Sequence, residues 1–514
     1  MAMSLNDCQR DVARWIRAAA PGGRLVSDSR RVAQGDVFFA YPGEASDGRS
    51  YIAAALAAGA AAVVYEEEGY SWDAAHAVPQ LGVAGLKKQL GPIAHGVLRH
   101  PDAAMFTVGV TGTNGKTSCA VWLGQALARL GETAAVVGTL GVGVVKKGAE
   151  PQFDATGYTT PDAVLLAQTL AELRDQEVGA LAIEISSIGL VQERAAGMHF
   201  DVAVFTNLTR DHLDFHGTME DYETAKRKLF EWNGLKNAVV NLDDPAGLRL
   251  VAHLREHFAA LPVTGYTLRS EAEQPAIEGV GILRASNIRS RHAGTDFTVD
   301  SPAGNSAVKT RLVGHFNVSN ALAVLGALLA KGVPLKCAVD AIEALAPAPG
   351  RMQQIGGQDA PMVVIDYAHT PDALEKTLQA LRQVAEERGG ELWCVFGCGG
   401  DRDPGKRPQM GAVAQAADHI LVTSDNPRSE EPASIIAQVV AGIEKRDDNS
   451  FQAVEDRATA ILLAVKNAGK QDVILLAGKG HEPYQEIKGK KFPFSDADHA
   501  ALALTARLTM MRPH

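Results

Sequence analysis

The sequence predicts an α/β protein with parallel sheets, and three observations support this. Its 514 residues are enough for about three domains of ordinary size. Short apolar runs alternate with helical patterns along most of the chain, which is typical of parallel βαβ units. Several of these runs lead directly into glycine-rich or charged motifs, and ligands bind at the carboxyl ends of strands in such sheets.

The composition narrows the class of protein. Hydrophobic residues make up 46% of the chain and charged residues 21%, as in ordinary soluble proteins. A formal net charge of −10 argues against nucleic acid or an anionic membrane surface as the main partner. The longest apolar run, residues 52–65, is too short to cross a bilayer, so we expect no membrane insertion. No signal-peptide pattern is seen at the N-terminus, which favours a cytoplasmic protein.

The cysteines agree with a reducing compartment. There are five, with no paired CxxC spacing: Cys8, Cys119, Cys337, Cys394 and Cys398. A partial metal site at Cys394 and Cys398 is conceivable from their proximity in sequence. A position on and just after a buried strand is the favoured interpretation.

The chain divides into three regions by pattern. Residues 1–103 begin with a helical pattern, and Gly59 separates a further helix from a strand at residues 60–64. Residues 104–347 contain predicted strands at residues 106–110, 134–137, 180–185, 202–205 and 238–242. Residues 263–312 are predicted to form an antiparallel extension, followed by a helix from near Asn317. A Pro-rich break at residues 346–350 opens the third region, residues 348–514.

Four strands of the third region each run into a polar or glycine motif. The strands are predicted at residues 362–365, 392–396, 420–422 and 473–476, and the motifs at residues 366–369, 397–402, 424–428 and 478–482. Ordinary loop chemistry explains any one motif. Four charged strand ends together predict one shared ligand site.

A glycine-rich loop, residues 109–118, follows a predicted strand and opens a helix that stops at Gly131. Its glycines allow backbone N–H groups to turn toward phosphate oxygens, and the helix N-terminus adds positive potential. Lys116 would reach the outer phosphates, and Thr117 would offer its hydroxyl to Mg²⁺. Val110 departs from the strict GxxxxGK[ST] pattern, and a glycine turn with a surface lysine is the alternative.

Residues 112–118, GTNGKTS, resemble the corresponding loop of the Mur ligases and folylpolyglutamate synthetases. The rest of the chain resembles the Mur ligase family across all three regions, and in particular the members that make UDP-muramoyl tripeptide. The resemblance implies a three-domain architecture: a UDP-sugar-binding domain at residues 1–103, a central P-loop ATPase-like parallel-sheet domain at 104–347, and a C-terminal Rossmann-like amino-acid-binding domain at 348–514.

The resemblance also implies a reaction, the ATP-dependent addition of meso-2,6-diaminopimelate to UDP-N-acetylmuramoyl-L-alanyl-D-glutamate in peptidoglycan synthesis. An acyl phosphate would be the intermediate, Mg²⁺ the metal and a monomer the functional form. L-Lysine as the substrate is the alternative within the family. A catalytically inactive binding module and a folate polyglutamylating enzyme are alternatives from other classes. The intact charged residues of the motifs argue against the first, and the N-terminal region and the motif at residues 425–428 argue against the second.

By resemblance, the catalytic residues are Lys116, Glu184, His212 and a carbamylated Lys226, and Thr117, Glu184, His212 and Lys226 hold the metal. The implied ATP-binding residues are Gly112, Thr113, Asn114, Gly115, Lys116, Thr117, Ser118, Asn317 and Asn320. From the sequence alone, Lys226 would be expected on a solvated helix face, and Asn317 would be a candidate helix cap.

The implied UDP-muramoyl-dipeptide residues are Ser27, Ser29, Glu44, Ala45, Ser46, Thr159, Thr160, Ser186, Gln192 and Arg194. Arg194 suits an anionic group because its guanidinium can bind two oxygens. The sequence departs from the family pattern at Tyr158, where asparagine is frequent, and at Ile188, where histidine is usual.

The implied diaminopimelate residues are Arg402, Asp425, Asn426, Pro427, Arg428, Gly478 and Glu482. Diaminopimelate is lysine with a second carboxylate at its far end. A guanidinium binds that carboxylate through two hydrogen bonds and would be unpaired against lysine. Arg428 is therefore the predicted selector of the amino acid, with local ion pairing as its alternative role.

Overall fold

The structure is a computed structural model that describes residues 5–43, 46–149, 151–291, 294–444 and 451–510. Its backbone contacts divide the chain into two compact units. The first contains Met1–Thr111, Leu127–Val204 and Ala225–Ala238, and the second contains Gly112–Ala126, Phe205–Thr224 and Val239–His514. The units are described separately.

The described chain alternates helices and strands. The helices are α1 Leu5–Ala19, α2 Ile52–Ala57, α3 Leu86–Val97, α4 Lys116–Arg129, α5 Ala163–Asp175, α6 Ser187–Val191, α7 Leu213–His216, α8 Met219–Arg227, α9 Pro245–His257, α10 His315–Ala330, α11 Leu335–Glu343, α12 Pro371–Arg388, α13 Lys406–Ala414, α14 Pro432–Val440, α15 Arg457–Asn467 and α16 Asp496–Met510. The strands are β1 Leu25–Val26, β2 Val37–Ala40, β3 Ala62–Glu66, β4 Gln80–Val83, β5 Phe106–Thr111, β6 Ala134–Gly138, β7 Gly141–Val145, β8 Ala180–Glu184, β9 Val202–Phe205, β10 Asn237–Asn241, β11 Val263–Thr267, β12 Val280–Arg291, β13 Gly294–Ser301, β14 Gly304–Thr310, β15 Gln353–Gly356, β16 Met362–Asp366, β17 Leu392–Phe396, β18 His419–Val422, β19 Phe451–Ala453, β20 Val473–Ala477, β21 Tyr484–Ile487 and β22 Lys490–Pro493. No helix among the described residues has both the length and the apolar character needed to span a bilayer.

The first unit contains a small parallel sheet in the order β1-β2-β3-β4. Val37 and Phe39 point from β2 into a core that also takes Val12 and Ile16 of α1. Gly59, at φ +102°, separates α2 from β3 as the sequence predicted. This unit also contains the strand order β5-β8-β6-β7, in which β7 pairs antiparallel with β6 and the other pairings are parallel.

A chain of ionisable side chains begins with the buried His95 of α3 and Asp102 in the first unit and ends at the exposed Lys236. Both oxygens of Asp102 are engaged: Oδ1 is 3.1 Å from His95 Nδ1, and Oδ2 is 3.0 Å from His199 Nδ1. His199 Nε2 lies 3.4 Å from Asp201, and Lys236 Nζ pairs with Asp201 at 2.7 Å. These pairs hold the segment after α3 against residue 201, which directly precedes β9.

The second unit contains an antiparallel β12-β13-β14 arrangement, which confirms the antiparallel extension for residues 280–310. For residues 263–267 the prediction is wrong, because β11 pairs parallel with β12. Helix α10 begins two residues before Asn317, after Gly314 at φ +96°. Asn317 is not the cap: its Nδ2 donates to the Val313 carbonyl at 2.8 Å.

The third predicted region folds as a doubly wound sheet in the order β15-β16-β20-β17-β18-β19. The four strands predicted there are neighbours, and their mutual pairings are all parallel. Side chains of α12, α13 and α14 pack on one face, and those of α15 and α16 on the other. The α/β class and the Rossmann-like arrangement are therefore confirmed, and the carboxyl ends of four adjacent strands meet at one edge.

Candidate active site

In the phosphate loop of the second unit, the lysine side chain bonds back to carbonyls of the loop itself. Lys116 Nζ donates to the carbonyls of Gly112 at 2.9 Å and Thr113 at 2.8 Å. Gly112 and Gly115 adopt φ of +149° and +86°, a region that favours glycine. A Cβ on Gly115 would lie 2.5 Å from Asn320 Oδ1. The glycines are therefore required for both conformation and space, and the loop has the form of a phosphate cradle.

The loop is braced by the segment that follows β9. Asn207 Oδ1 accepts from the Asn114 N–H at 2.9 Å, and Thr206 Oγ1 donates to the Asn114 carbonyl at 2.6 Å. The Thr113 hydroxyl lies 3.1 Å from the phenolic hydroxyl of Tyr222 and donates to the Thr209 carbonyl at 3.1 Å. These bonds hold the loop rigid before any nucleotide arrives.

Two side chains of the third region reach the loop. Arg351 Nη2 donates to Thr117 Oγ1 at 3.0 Å, and its guanidinium lies 4.2 Å from the centre of the Tyr367 ring. Asn114 Nδ2 donates to Asp372 Oδ2 at 3.1 Å. Sequence reasoning missed Arg351 and Asp372, since nothing local marks them as neighbours of the loop.

Asn317 and Asn320 lie on one face of α10, as predicted, and both are buried. Asn320 Nδ2 lies 3.5 Å from Asn317 Oδ1, and its own Oδ1 occupies the space that a Cβ on Gly115 would need. The structure thus brings the predicted nucleotide asparagines to the phosphate loop.

His212 lies beside a partly buried carboxylate, Asp211, that was not predicted as a site residue. Its backbone has φ +53°, and its Nε2 is 3.5 Å from Asp211 Oδ2. His369, at the end of β16, is 3.8 Å from the same oxygen. Burial alone would raise the pKa of Asp211, but the hydrogen bond from His369 and the charges of His369, His212 and Lys406 hold it well below its usual range. Asp211 therefore remains an anion that gathers two imidazoles and Lys406.

In the first unit, Glu184 ends β8 and is 1% exposed. Its Oε1 accepts from the Thr139 N–H at 2.8 Å, and its Oε2 accepts from the Thr139 hydroxyl at 3.2 Å. Lys226 on α8 is 2% exposed. The expectation of a solvated helix face for Lys226 is therefore wrong, because this face of α8 packs inward with Tyr222 and Ala225.

Several predicted dipeptide residues lie together in the first unit. Arg194 Nη1 donates to the Thr160 carbonyl at 2.8 Å, and its Nε donates to Gln192 Oε1 at 2.8 Å. Thr160 Oγ1 lies 3.2 Å from Ser186 Oγ, which caps α6 by accepting from the Gly189 N–H. The hydroxyls of Thr159 and Thr139 are 3.1 Å apart, so the group reaches Glu184 through Thr139.

The first unit contains a cleft of about 750 Å³ near the N-terminal group of predicted UDP-muramoyl-dipeptide residues. Ser27 and Tyr158 form part of its lining. Ser27 Oγ donates at 3.0 Å to Asp162, which also caps α5. Tyr158 is 51% exposed, and Arg194 lies 5.4 Å from its ring centre. Ser29 is half-buried in a short 3₁₀ turn, and Ser46 is exposed.

Glu44, Ala45 and Ile188 are the other positions that the family resemblance singles out at the dipeptide end. Glu44 and Ala45 lie outside the described residues. Ile188 is half-buried within α6, directly after Ser186 and Ser187. It brings an apolar side chain to the position where the family usually has histidine.

At the edge where β16, β17, β18 and β20 end, the four predicted motifs are joined by hydrogen bonds. The Gly478 N–H donates to the Asp366 carbonyl at 3.1 Å, and the Gly400 N–H donates to the Asn426 carbonyl at 2.9 Å. Asn426 Nδ2 donates to Glu482 Oε2 at 2.8 Å. The prediction that these strand ends form one site is therefore supported by direct contacts.

Arg428 is held at this edge with its backbone at φ +53°. Its Nη1 donates to the Gly400 carbonyl at 2.7 Å, and its Nε lies 3.4 Å from Glu486. The local ion pair weighed as an alternative does exist, but its length leaves the guanidinium open to competition from a ligand. Pro427 precedes it, and the exposed Arg402 donates only a long 3.5 Å bond to the Asp401 carbonyl.

A buried lysine joins the same loops. Lys479 has no exposed surface, and its Nζ lies 3.4 Å from Asp425, 3.2 Å from Asn426 and 3.2 Å from Glu482. Lys479 belongs to the motif predicted at residues 478–482, but the sequence pattern did not indicate a role for it. Cys394 and Cys398 are buried nearby, in β17 and just after it as predicted, and burial raises the pKa of the Cys398 thiol to about 12.

Comparisons with known proteins decide the family. The chain is 62% identical over 494 residues to the UDP-N-acetylmuramoyl-L-alanyl-D-glutamate–2,6-diaminopimelate ligase of Janthinobacterium sp. (strain Marseille), with 96% of each chain covered. The chain belongs to the Mur ligase family. Three family models match successive segments: the Mur ligase family catalytic domain at residues 24–94, the Mur ligase middle domain at 110–328, and the Mur ligase glutamate ligase domain at 350–480.

Other Mur ligases agree with this assignment. The ligase of the same name from Ralstonia nicotianae (strain ATCC BAA-1114 / GMI1000) is 52% identical, with 96% of this chain and 95% of that chain covered. A solved structure of a UDP-N-acetylmuramoyl-L-alanyl-D-glutamate–2,6-diaminopimelate ligase is 35% identical, with a TM-score of 0.64 over 94% of this chain and 95% of that one. MurF from Thermotoga maritima in complex with ADP shares the fold, at 18% identity and a TM-score of 0.63 over 95% of this chain and 99% of that one.

Proposed function

We propose that this protein is the ATP-dependent amide ligase that adds meso-2,6-diaminopimelate to UDP-N-acetylmuramoyl-L-alanyl-D-glutamate in peptidoglycan synthesis. The single observation that carries the choice of amino acid is the loop at residues 425–428. Within this loop, Arg428 Nη1 donates to the Gly400 carbonyl at 2.7 Å and Asn426 Nδ2 donates to Glu482 Oε2 at 2.8 Å, at the carboxyl edge of the third region's sheet. The relatives named for this reaction, at 62% and 52% identity, support the same activity.

The chemistry requires an activated carboxylate. The γ-phosphoryl group of ATP passes to the glutamate carboxylate of the dipeptide, which gives ADP and an acyl phosphate. The amine of diaminopimelate then attacks the carbonyl carbon, phosphate leaves, and the amine loses a proton. Both steps concentrate negative charge, so a site rich in cations and N–H donors lowers their barriers.

The phosphate loop would hold ATP through residues Gly112, Thr113, Asn114, Gly115, Lys116, Thr117 and Ser118. Lys116 now bonds to loop carbonyls, and it would exchange them for phosphate oxygens when nucleotide binds. Asn317 and Asn320 would contact the nucleotide from α10. The rigid bracing from Thr206 and Asn207 means that little order has to be gained on binding.

The metal residues are Thr117, Glu184, His212 and Lys226 in this proposal, and they would hold Mg²⁺. A hydroxyl, a carboxylate and a carbamate supply the hard oxygen ligands that Mg²⁺ prefers, and a buried carboxylate such as Glu184 gains by facing a cation. When bound, the ion would neutralise charge on the phosphates. Among the described residues, no cluster of three or more His, Cys, Asp or Glu side chains is arranged as a metal site, and the proposed ligand set differs from such a cluster in taking oxygens from Thr117 and carbamylated Lys226.

Carbamylation of Lys226 fits its burial. A buried ammonium is unfavourable, and the neutral amine is the form that reacts with CO₂. The product carries an anionic oxygen pair in place of a cation. The modification would therefore convert an inward-facing lysine into a metal ligand.

The remaining assignments follow the same pattern. Ser27, Ser29, Glu44, Ala45, Ser46, Thr159, Thr160, Ser186, Gln192 and Arg194 would bind the UDP-muramoyl dipeptide. Arg402, Asp425, Asn426, Pro427, Arg428, Gly478 and Glu482 would bind diaminopimelate. We further propose three domains at residues 1–103, 104–347 and 348–514, a monomeric enzyme and a cytoplasmic location, where all three substrates are available.

The proposed activity is tested by phosphate release from ATP in the presence of UDP-N-acetylmuramoyl-L-alanyl-D-glutamate and one amino acid at a time. We expect release with meso-diaminopimelate, little with L-lysine, and none when the dipeptide is left out. Equal release with lysine would favour the lysine-adding alternative. No release with any amino acid by folded protein would favour a binding module.

A further inference from the structure

Lys479 is a fully buried cation in the loop after β20, and all three of its ammonium donors are matched. Its Nζ lies 3.2 Å from Glu482 Oε2, 3.2 Å from Asn426 Oδ1 and 3.4 Å from Asp425 Oδ1. A lysine without exposed surface is costly unless its charge is paired and its N–H groups are bonded. The arrangement satisfies both conditions, so the ammonium is held in one place.

The three acceptors come from two different strand ends. Asp425 and Asn426 follow β18, and Glu482 follows β20. Asn426 Nδ2 also donates to Glu482, and both bonds to this carboxylate fall on Oε2. Within the described residues, no hydrogen bond is made by Glu482 Oε1, and the side chain keeps 17% of its surface exposed. Lys479 and Asn426 thus fix one oxygen of Glu482 and leave the other for a ligand.

The charges of this group leave one negative charge in excess. Asp425 and Glu482 contribute two, and Lys479 cancels one of them. Arg457 also interacts with both carboxylates, and Asp496 offsets its charge through an ion pair at 2.7 Å. Tyr367 stays a neutral phenol, because burial raises its pKa well above the usual value. The excess charge matches a single substrate ammonium.

We propose that Lys479 is a positioning residue for the incoming amino acid. Its ammonium fixes Glu482 through Oε2 and leaves the pair of Asp425 and Glu482 with one excess negative charge. Glu482 Oε1 then receives one ammonium of the substrate. This inference rests on the proposed function, in which Glu482 and Asp425 bind diaminopimelate. Lys479 itself does not touch the substrate. Its effect therefore falls on amino-acid binding and leaves ATP and dipeptide binding unchanged.

The test is Lys479→Met in the full-length enzyme, with Lys470→Met as the matched control. Lys470 has 53% of its side chain exposed and pairs only with Asp359 on the surface. We expect the KM for diaminopimelate to rise by about tenfold or more in Lys479→Met, as loss of one charge-assisted contact predicts. The KM values for ATP and for the UDP-dipeptide should stay within about twofold, a change of less than about 0.5 kcal/mol. The control should match wild type.

A split between KM and kcat separates positioning from simple support of the fold. A residue that only positions the binding group acts on substrate binding, so the KM for diaminopimelate should rise in Lys479→Met while kcat at saturating diaminopimelate stays within about twofold of wild type. A general loss of fold would instead lower kcat with every substrate.

The outcomes distinguish this proposal from the proposed function. An unchanged KM for diaminopimelate in folded Lys479→Met, or equal rises for all three substrates, overturns the role of Lys479. If Lys479→Met does not fold, Lys479→Gln, which keeps an N–H donor, is assayed in the same way, and failure of both to fold assigns Lys479 to stability alone. If wild type ligates another amino acid, the proposed function is wrong, and the role of Lys479 is decided by the KM for that amino acid.

Discussion

Arg351 Nη2 donates a hydrogen bond of 3.0 Å to the hydroxyl of Thr117, the phosphate-loop residue predicted to face Mg²⁺. The guanidinium of Arg351 thus lies where the negative charge of the ATP phosphates would be concentrated. Its plane is supported by Tyr367, whose ring centre lies 4.2 Å away. The third region of the chain therefore supplies a cation to a loop that lies more than two hundred residues earlier in the sequence.

We expect Arg351→Met to weaken ATP use. Loss of a charge-assisted contact of about 1.5–3 kcal/mol should raise the KM for ATP by roughly tenfold to a hundredfold. The KM for diaminopimelate should change little. Steady-state kinetics with ATP varied would measure this, with the exposed Arg129→Met as control. An unchanged KM for ATP would restrict Arg351 to a structural contact.

Lys116→Ala should abolish ligation in a folded protein, because it removes the charge on the transferring phosphate. We expect a fall in turnover of at least about a hundredfold, typical of losing a preorganised charge in a transition state. Phosphate release and circular dichroism would measure activity and folding together. Lys336→Ala, at an exposed position on α11, should behave as wild type. Normal turnover of Lys116→Ala would exclude the loop from the mechanism.

Carbamylation of Lys226 predicts a chemical rescue. Lys226→Ala should be slow because a metal ligand is missing, and added short carboxylates should restore part of the rate by supplying oxygen ligands. Lys228→Ala changes an exposed lysine on the same stretch and should have no effect. Electron density for an unmodified lysine that points away from Mg²⁺ in a nucleotide complex would contradict the modification.

Arg428→Ala should change the choice of amino acid. Removing one partner of a desolvated, charge-assisted pair costs about 2–5 kcal/mol, so the affinity for diaminopimelate should fall by roughly thirtyfold or more. Lysine should gain relative to diaminopimelate, because the unpaired guanidinium no longer opposes it. It need not become a good substrate, since Arg402 and the rest of the site remain. Ligation of both amino acids by wild type and variant is the measurement, and an unchanged preference would defeat the specificity claim alone.

The charge chain around Asp102 predicts a stability optimum in mildly acidic solution. Although burial opposes it, hydrogen bonds from His199 and His95 hold the pKa of Asp102 well below its usual range, so its contribution is present above about pH 4 and is lost as pH falls. The hydrogen bond to Asp102 is the main cause that raises the pKa of His199 to about 10. The contribution of His199 is complete below about pH 6.5 and is lost as pH rises toward 10.

Asp102→Asn should therefore lower the thermal midpoint most between about pH 4 and pH 6.5, with a loss of stability of roughly 2–3 kcal/mol for bonds to buried charged groups. The difference from wild type should shrink toward pH 3 and toward pH 10. Thermal unfolding across this range measures it, with Asp175→Asn at an exposed site as control. A difference that does not vary with pH would show that the pairs do not depend on ionisation.

The sequence predicted the central strands to within one residue because these strands are buried on both faces and read as continuous apolar runs. It did not predict β7, β15, β19 or the β21–β22 pair, since short or exposed edge strands leave no such run. The phosphate loop was recognisable because glycine, lysine and threonine occur at fixed spacing. Arg351 was not, because its position beside Thr117 depends on how the third region packs.

Burial was the property that residue type could not reveal. From their sequence neighbours alone, Lys226 and Lys479 would both be expected at the surface, but both are buried in the structure. Asp211 is bordered by charged and polar residues in the sequence, yet it also lies 3.8 Å from the imidazole of His369, which comes from a distant segment. Sequence motifs located the strand ends, whereas the electrostatic partners came from tertiary packing.

The left-handed backbone of Arg428 restricts which residues this position can take in related enzymes. At φ +53°, an ordinary L-residue is strained by about 1–2 kcal/mol, and β-branched residues are strained most. Asparagine, aspartate and glycine tolerate this conformation best. A change of amino-acid specificity that begins at residue 428 should therefore start through those residues, and replacement by valine, isoleucine or threonine would need the loop to refold first.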